Sequence, residues 1–293
     1  MVSTEAQKEI DRLFSLFDPV ERPLPARRRD WERDALLEPL PEGATFRQVI
    51  AGGVAAEWMT MPGADASRVF LLLHGGGYNA GSPKTHRKLA ANLARVTGLP
   101  VLTPDYRLAP EHPFPAAVED ARAVYEWLLG QGYPADHIIV GGDSAGSGLS
   151  LSLLLDLTAA GRPLPKGVLM APWTDLTCSS PSYEANRALD PIITQENLSR
   201  AGLWYAGNND PRHPIASPLF GDLTGLPPLL IHAGGAETMV DDSRRFAALA
   251  RAAGVSVEEK IWPGLWHVFH TACPAVPEAA SAMEEIGAFV RAL

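Results

Sequence analysis

The chain has 293 residues, 46% of them hydrophobic, and a formal net charge of −9, enough apolar material for one sizeable α/β core that carries an insertion. Phosphate binding needs a basic face that this acidic composition does not offer, which argues against a nucleic-acid partner. Cys178 and Cys273 are too few for a disulfide framework, so a reducing cytosol is the expected compartment.

The opening stretch MVSTEAQKEIDRLF carries acidic residues where a secretion signal needs a basic end and an apolar centre, and it reads as mature protein. Ile10, Leu13, Phe14 and Phe17 recur at helical spacing and predict an amphipathic helix. Pro19, Pro23 and Pro25 are expected to break it, leaving Arg27, Arg28 and Arg29 in a solvated loop. From about Thr45 onward short apolar runs appear, at Val69–Leu73, Val101–Thr103, Ile138–Val140, Val168–Met170 and Leu229–His232, and read as buried strands. Helical stretches near Thr85–Val96, Ala116–Leu129, Ser147–Ala160 and Val240–Ala253 alternate with them, which predicts a mostly parallel sheet covered by helices on both faces. Val255, Val257 and Ile261 alternate with polar residues, as in an edge strand, and such a strand offers a surface for a homodimer. No apolar run reaches the length of a membrane span. More than fifty residues separate the strand ending near Trp173 from Leu229, so an insertion is expected there, leaving from the sheet face where open α/β folds place ligands.

Gly142, Asp143, Ser144, Ala145 and Gly146 spell GxSxG between a strand and a helix. So abrupt a turn forces its central residue into strained geometry, and only glycine-sized neighbours leave room for it. Ser144 is thereby exposed as a nucleophile, with the helix N-terminus aimed at it. A bland reading, glycines permitting a turn and a serine capping a helix, is weakened by a second motif. His74, Gly75, Gly76 and Gly77 follow the strand Val69–Leu73 and offer bare amides. Gly75, Gly76 and Ala145 are the expected oxyanion donors, and His74 orients the loop. Gly75, Gly77 and Ala80 also fit GxGxxA, with Asp105 as a ribose acid. Ser82 and Pro83, however, delay the helix that a pyrophosphate would need.

Through HGGGYNAGSPKTHR, DYRLAPEHPFPAA, GGDSAGSG and GLPPLLIHAGGAE, in that order, the chain from about residue 65 onward resembles the hormone-sensitive-lipase-like esterases of the α/β-hydrolase fold. The resemblance implies a Ser, acid, His triad in that chain order, carboxylic ester hydrolysis, no cofactor, and a helical cap. The expected organisation is an N-terminal part of the cap over 1–44 and a hydrolase domain over 45–293, with a cap insertion over about 181–217. Small, short-acyl esters or lactones are the implied substrates.

A serine hydroxyl needs an adjacent base, and the chain holds eight histidines. By the same resemblance His267, after WPGLW, is the base, with His270 in reserve. His86, His112 and His137 read as structural or surface residues, and His232 as a packed neighbour of the site. His267 and His270 also stand at a metal-ligand spacing, but no HExxH or cysteine cluster completes such a site. A carboxylate after Leu229–His232 must hold the imidazole. Glu237 stands where the family places it. The family often has aspartate followed by proline and leucine there, so Asp241 stays open, while Asp242 reads as a helix-start carboxylate. Asp143 is expected to bond neighbouring backbone, and Asp105 and Arg107 to form a structural ion pair. Leu198, Leu203, Trp204 and Tyr205 would give the cap an apolar underside, although core packing explains each equally well. Two alternatives remain: a binding protein on a hydrolase scaffold, as in the plant gibberellin receptors, and amide hydrolysis or acyl transfer by the same site.

Overall fold

A computed structural model of the chain describes residues 2–16 and 22–292. It opens with helices α1 (Thr4–Ser15) and α2 (Leu24–Ala35). Ser3 caps α1 by accepting the Ala6 amide at 3.1 Å, and Glu278 fixes Ser3 in turn through bonds of 2.6 and 2.7 Å. Ile10 and Leu13 pack on the core as their spacing predicts; Phe17 and Pro19 lie outside the described residues. Helix α2 corrects the expected loop. Pro23 occupies its cap and Pro25 its first turn, where proline's fixed φ suits a helix and its missing N–H has no partner to lose. The arginine run therefore lies on a helix. Arg28 donates to the Asn79 carbonyl at 2.7 Å and the Ala109 carbonyl at 2.8 Å, and pairs with Glu111 at 2.8 Å.

The remaining elements alternate: β1 (Thr45–Ala51), β2 (Val54–Thr60), β3 (Val69–Leu73), α3 (Arg87–Thr97), β4 (Val101–Pro104), α4 (Ala116–Gly130), β5 (Ile138–Asp143), α5 (Ala145–Ala159) and β6 (Lys166–Met170). The short α6 (Ser182–Ala185) and α7 (Gln195–Ala206) follow, then β7 (Leu229–Gly234), α8 (Val240–Ala252), β8 (Val257–Trp262) and α9 (Pro277–Ala292). Among the described residues the strands form one eight-stranded sheet in the order β1-β2-β4-β3-β5-β6-β7-β8. β2 runs antiparallel to β1 and β4, and the rest is parallel. Val69, Leu71 and Leu73 face one core with α4, α5 and α8, while Phe70 and Leu72 face the other with α3 and α9. Burial on both faces explains why β3 reads as an unbroken apolar run.

The chain leaves β3 for β4 on one side and returns to β5 on the other. This reversal opens a crevice at the carboxyl ends of the strands. The glycine loop after β3, Ser144 after β5, the insertion after β6, Glu237 after β7 and His267 after β8 all emerge at that end of the sheet. Among the described residues no helix is long and apolar enough to cross a membrane. Cys178 and Cys273 are both buried and free.

Candidate active site

β5 ends at Asp143 and α5 begins at Ala145, so the whole reversal falls on Ser144, whose φ of 54° and ψ of −123° lie outside the regions that serine ordinarily occupies. Strain of this kind costs on the order of 1–3 kcal/mol and persists only where the surroundings over-determine it. They do so here. A Cβ on Gly142 would meet the Leu73 carbonyl oxygen, and one on Gly146 the carbonyls of Leu73 and His74. The Ser144 amide donates to the Met170 carbonyl at 2.8 Å. Ser147, the second serine of the motif, sews α5 to the sheet: its hydroxyl donates to the Gly142 carbonyl at 2.5 Å and accepts the Met170 amide at 2.9 Å.

The glycine loop differs from expectation at one donor. The Gly75 amide points inward to Asp143 Oδ1 at 3.0 Å, so it is spent within the protein and is not available to an oxyanion. A Cβ on Gly75 would collide with that same carboxylate. Gly76 and Gly77 are partly exposed and line the cavity beside Ser144, and their amides donate to no group among the described residues. Ala145, at the start of α5, directly follows Ser144. Gly77 was not among the expected donors, because the motif does not reveal which of its amides turns inward. His74 is buried, stacks on Tyr106 with centroids 4.1 Å apart and receives the Tyr106 hydroxyl on its carbonyl at 2.6 Å, which fixes the loop. Burial lowers its pKa to about 3 and keeps it neutral.

Asp143 also meets His86 Nε2 at 3.2 Å. Burial alone would raise this carboxyl, but the charge and hydrogen bond of His86 and the Gly75 amide outweigh it and hold Asp143 below its ordinary value. His86 itself is buried, lines the cavity and faces Trp31 of α2 at 5.7 Å.

His267 and Ser144 line one cavity of about 750 Å³. His267 Nδ1 lies 3.3 Å from Glu237 Oε2, and its Nε2 is buried with no partner among the described residues. The two loops are sewn together: the Gly235 and Ala236 amides donate to the carbonyls of Trp262 at 2.8 Å and Leu265 at 2.9 Å. Next to the histidine, Val268 takes a φ of +53°, unusual for a β-branched residue. Burial pushes the Glu237 carboxyl up, against the bond and charge of His267. Burial also works to lower His267, but the hydrogen bond and charge of Glu237, then the charges of Asp190 and Asp143, raise it above 6.5.

The other candidates lie elsewhere. Asp241 accepts the Ser182 amide at 3.1 Å and pairs with Arg244 at 2.9 Å. Asp242 is buried, accepts the Thr174 and Asp175 amides at 3.1 Å each, and is raised by burial to about 7. His270 faces His232 at 3.5 Å, both buried, and neither lines the cavity. Arg107 pairs with Asp120 at 2.8 Å and Glu119 at 2.9 Å. The expected Asp105–Arg107 pair does not form: Asp105 is exposed, and Arg107 is taken by Asp120 of α4. Of the apolar insertion residues, Leu198 and Trp204 line the cavity. Tyr205 instead stacks on Tyr78 at 3.7 Å, and Leu203 is 66% exposed.

Comparison with known proteins shows the family and the fold. The α/β-hydrolase fold family matches residues 70–271. An acetyl-hydrolase of Streptomyces hygroscopicus is 45% identical over 83% of this chain and 81% of its own length. The crystal structure of an esterase from the bacterial hormone-sensitive lipase family superposes with a TM-score of 0.96 at 41% identity, covering 99% of this chain and 98% of that one. A structure of EstE5 soaked with p-nitrophenyl butyrate gives 0.95 at 40% identity, with coverage of 99% and 98%.

Proposed function

Because the chain belongs to the hormone-sensitive-lipase-like family of α/β-hydrolase fold esterases and is a carboxylic ester hydrolase, we propose that it cleaves small, short-acyl esters or lactones through an acyl-enzyme on Ser144. Ser144 Oγ attacks the carbonyl carbon as His267 Nε2 takes its proton, and Glu237 at Nδ1 stabilises the imidazolium. The proton passes to the departing alcohol. Water, deprotonated by the same imidazole, then attacks the acyl carbon, and the imidazolium returns that proton to Ser144 Oγ as the acid leaves. The amides of Gly76, Gly77 and Ala145 meet the oxyanion in both halves.

One observation carries this reading: a buried imidazole whose Nδ1 faces a carboxylate and whose Nε2 has no partner among the described residues shares a cavity with a strained serine. Short acyl groups are supported by the acetyl-hydrolase relative and by the p-nitrophenyl butyrate soaked into EstE5. Residues 1–44 and 181–217 act as a cap over the hydrolase domain, 45–293, a reading supported by Trp31, Ile192 and Trp204 in the cavity lining. Free buried cysteines fit a reducing cytoplasm. β8, at the sheet edge, is the surface assigned to a homodimer, and a monomer by sizing removes it.

Hydrolysis of p-nitrophenyl esters from acetate to laurate, beside matched amides and lactones, tests the substrate assignment. A maximum in kcat/KM at acetate or butyrate, with a burst of nitrophenol, is expected. A maximum at laurate, or faster cleavage of the amide, contradicts it.

A further inference from the structure

The loop bearing Glu237 is held from two sides. The β8 loop takes its Gly235 and Ala236 amides, and the insertion binds it from the other side. Ser182 Oγ donates to the Thr238 carbonyl at 2.7 Å, and Asn186 Nδ2 donates to the carbonyls of Gly235 at 3.2 Å and Glu237 at 2.8 Å. Asp190 Oδ2 accepts the Thr238 amide at 2.8 Å and the Thr238 hydroxyl at 3.2 Å. Its other oxygen, Oδ1, accepts the amides of Ile192 at 2.9 Å and Ile193 at 3.0 Å. Those two isoleucines line the cavity beside Ser144. One carboxylate, only 6% exposed, thus receives hydrogen bonds from the acid loop on one side and the cavity wall on the other.

The Glu237 carboxylate is tied far more loosely. Oε2 lies 3.3 Å from His267 and 3.4 Å from the Gly234 amide, and Oε1 meets no partner among the described residues. Glutamate has one more rotatable bond than aspartate, so an acid of this length depends on how firmly its backbone is fixed.

We propose that Asp190 is a positioning residue for ester hydrolysis, a clamp that fixes the acid loop through Thr238 and the substrate wall through Ile192 and Ile193. The inference rests on the reading of Glu237 and His267 as acid and base. Asp190 also acts on His267 through its charge, after Glu237 and alongside Asp143, against the effect of burial; His270, nearby, is held well below 6.5 by burial. A structural anchor alone would stabilise the loop without touching the proton affinity of the base.

Asp190→Asn turns an NH2 group toward one of the two donor pairs and removes the charge. The clamp opens on one side. Folded Asp190→Asn is expected to lose kcat on the order of 10- to 100-fold, with the acid limb of kcat/KM displaced to lower pH; Asp190→Glu should restore the limb more fully than kcat. In a Glu237→Gln background the same change should cost less than in the parent, because part of its effect runs through Glu237. An unchanged kcat and limb in a folded variant, or a loss that multiplies fully with that of Glu237→Gln, overturns the proposal. If Asp190→Asn does not fold, Thr238→Val removes one clamp bond while leaving Asp190 in place. A smaller loss in the same direction supports the proposal, and none overturns it. Glu237→Gln near the parental rate would instead overturn the reading beneath it.

Discussion

Two regions of the site are built by different means. Around Ser144 the fixing is local and largely through backbone: Gly142 and Gly146 admit carbonyls where a side chain would collide, and the Ser147 hydroxyl ties the first turn of α5 to the Gly142 carbonyl and the Met170 amide. Around Glu237 the fixing comes from side chains 47 or more residues away in sequence, Ser182, Asn186 and Asp190. The turn at Ser144 leaves no room for a side chain at Gly142 or Gly146. The Glu237 loop, held by side chains, can be loosened by degrees through Ser182, Asn186 and Asp190.

The contrast orders the expected effects of substitution. Ser144→Ala should lower kcat by about 10⁴-fold or more while the fold is retained, as measured by turnover beside a thermal melt; a near-parental rate removes the nucleophile from Ser144. Gly146→Ala should abolish soluble folded protein, since its methyl would occupy the carbonyls of Leu73 and His74. If it expresses and melts like the parent, the elbow is more pliant than its contacts imply. Glu237→Gln should cost roughly 10²- to 10⁴-fold in kcat, against less than about twofold for Asp241→Asn, whose partners are Ser182 and Arg244; the reverse order transfers the role of acid to Asp241.

A smaller effect lies in pH dependence. His267 must be neutral to accept a proton, and Glu237 raises its affinity for one, so the acid limb of kcat/KM should have its midpoint above the ordinary 6.5. Removing the Glu237 charge makes the imidazolium less stable, and the limb should move to lower pH. A limb that stays put separates Glu237 from His267. The smallest change is expected from Trp204→Ala on the cavity wall, a shift of a few-fold in KM that varies with acyl length while kcat for acetate stays near parental.

Much of the backbone-held half was legible in the sequence. GDSAG between Val140 and Ser147 and HGGG after Leu73 are local patterns, and a strand-to-helix turn needs glycine for steric reasons that composition displays. Which amide points inward was not legible, because Gly75 is claimed by Asp143, 68 residues away. Strands buried on both faces declared themselves as apolar runs. β1 and β2 did not, because β1 leaves Phe46 and Ile50 exposed at the sheet edge. Helix α2 was hidden by its prolines, which start it. The clamp at Asp190 was invisible: a single aspartate in a loop carries no periodicity, and its partners Thr238, Ile192 and Ile193 meet it only in the folded chain.

Covalent capture of the nucleophile addresses the whole arrangement at once. A fluorophosphonate should form one adduct per chain, mapped by mass spectrometry to Ser144, with none in Ser144→Ala and much slower labelling in folded His267→Ala. An adduct on another residue, or full esterase turnover in protein whose Ser144 is blocked, would contradict the shared pocket of serine, imidazole and bare amides.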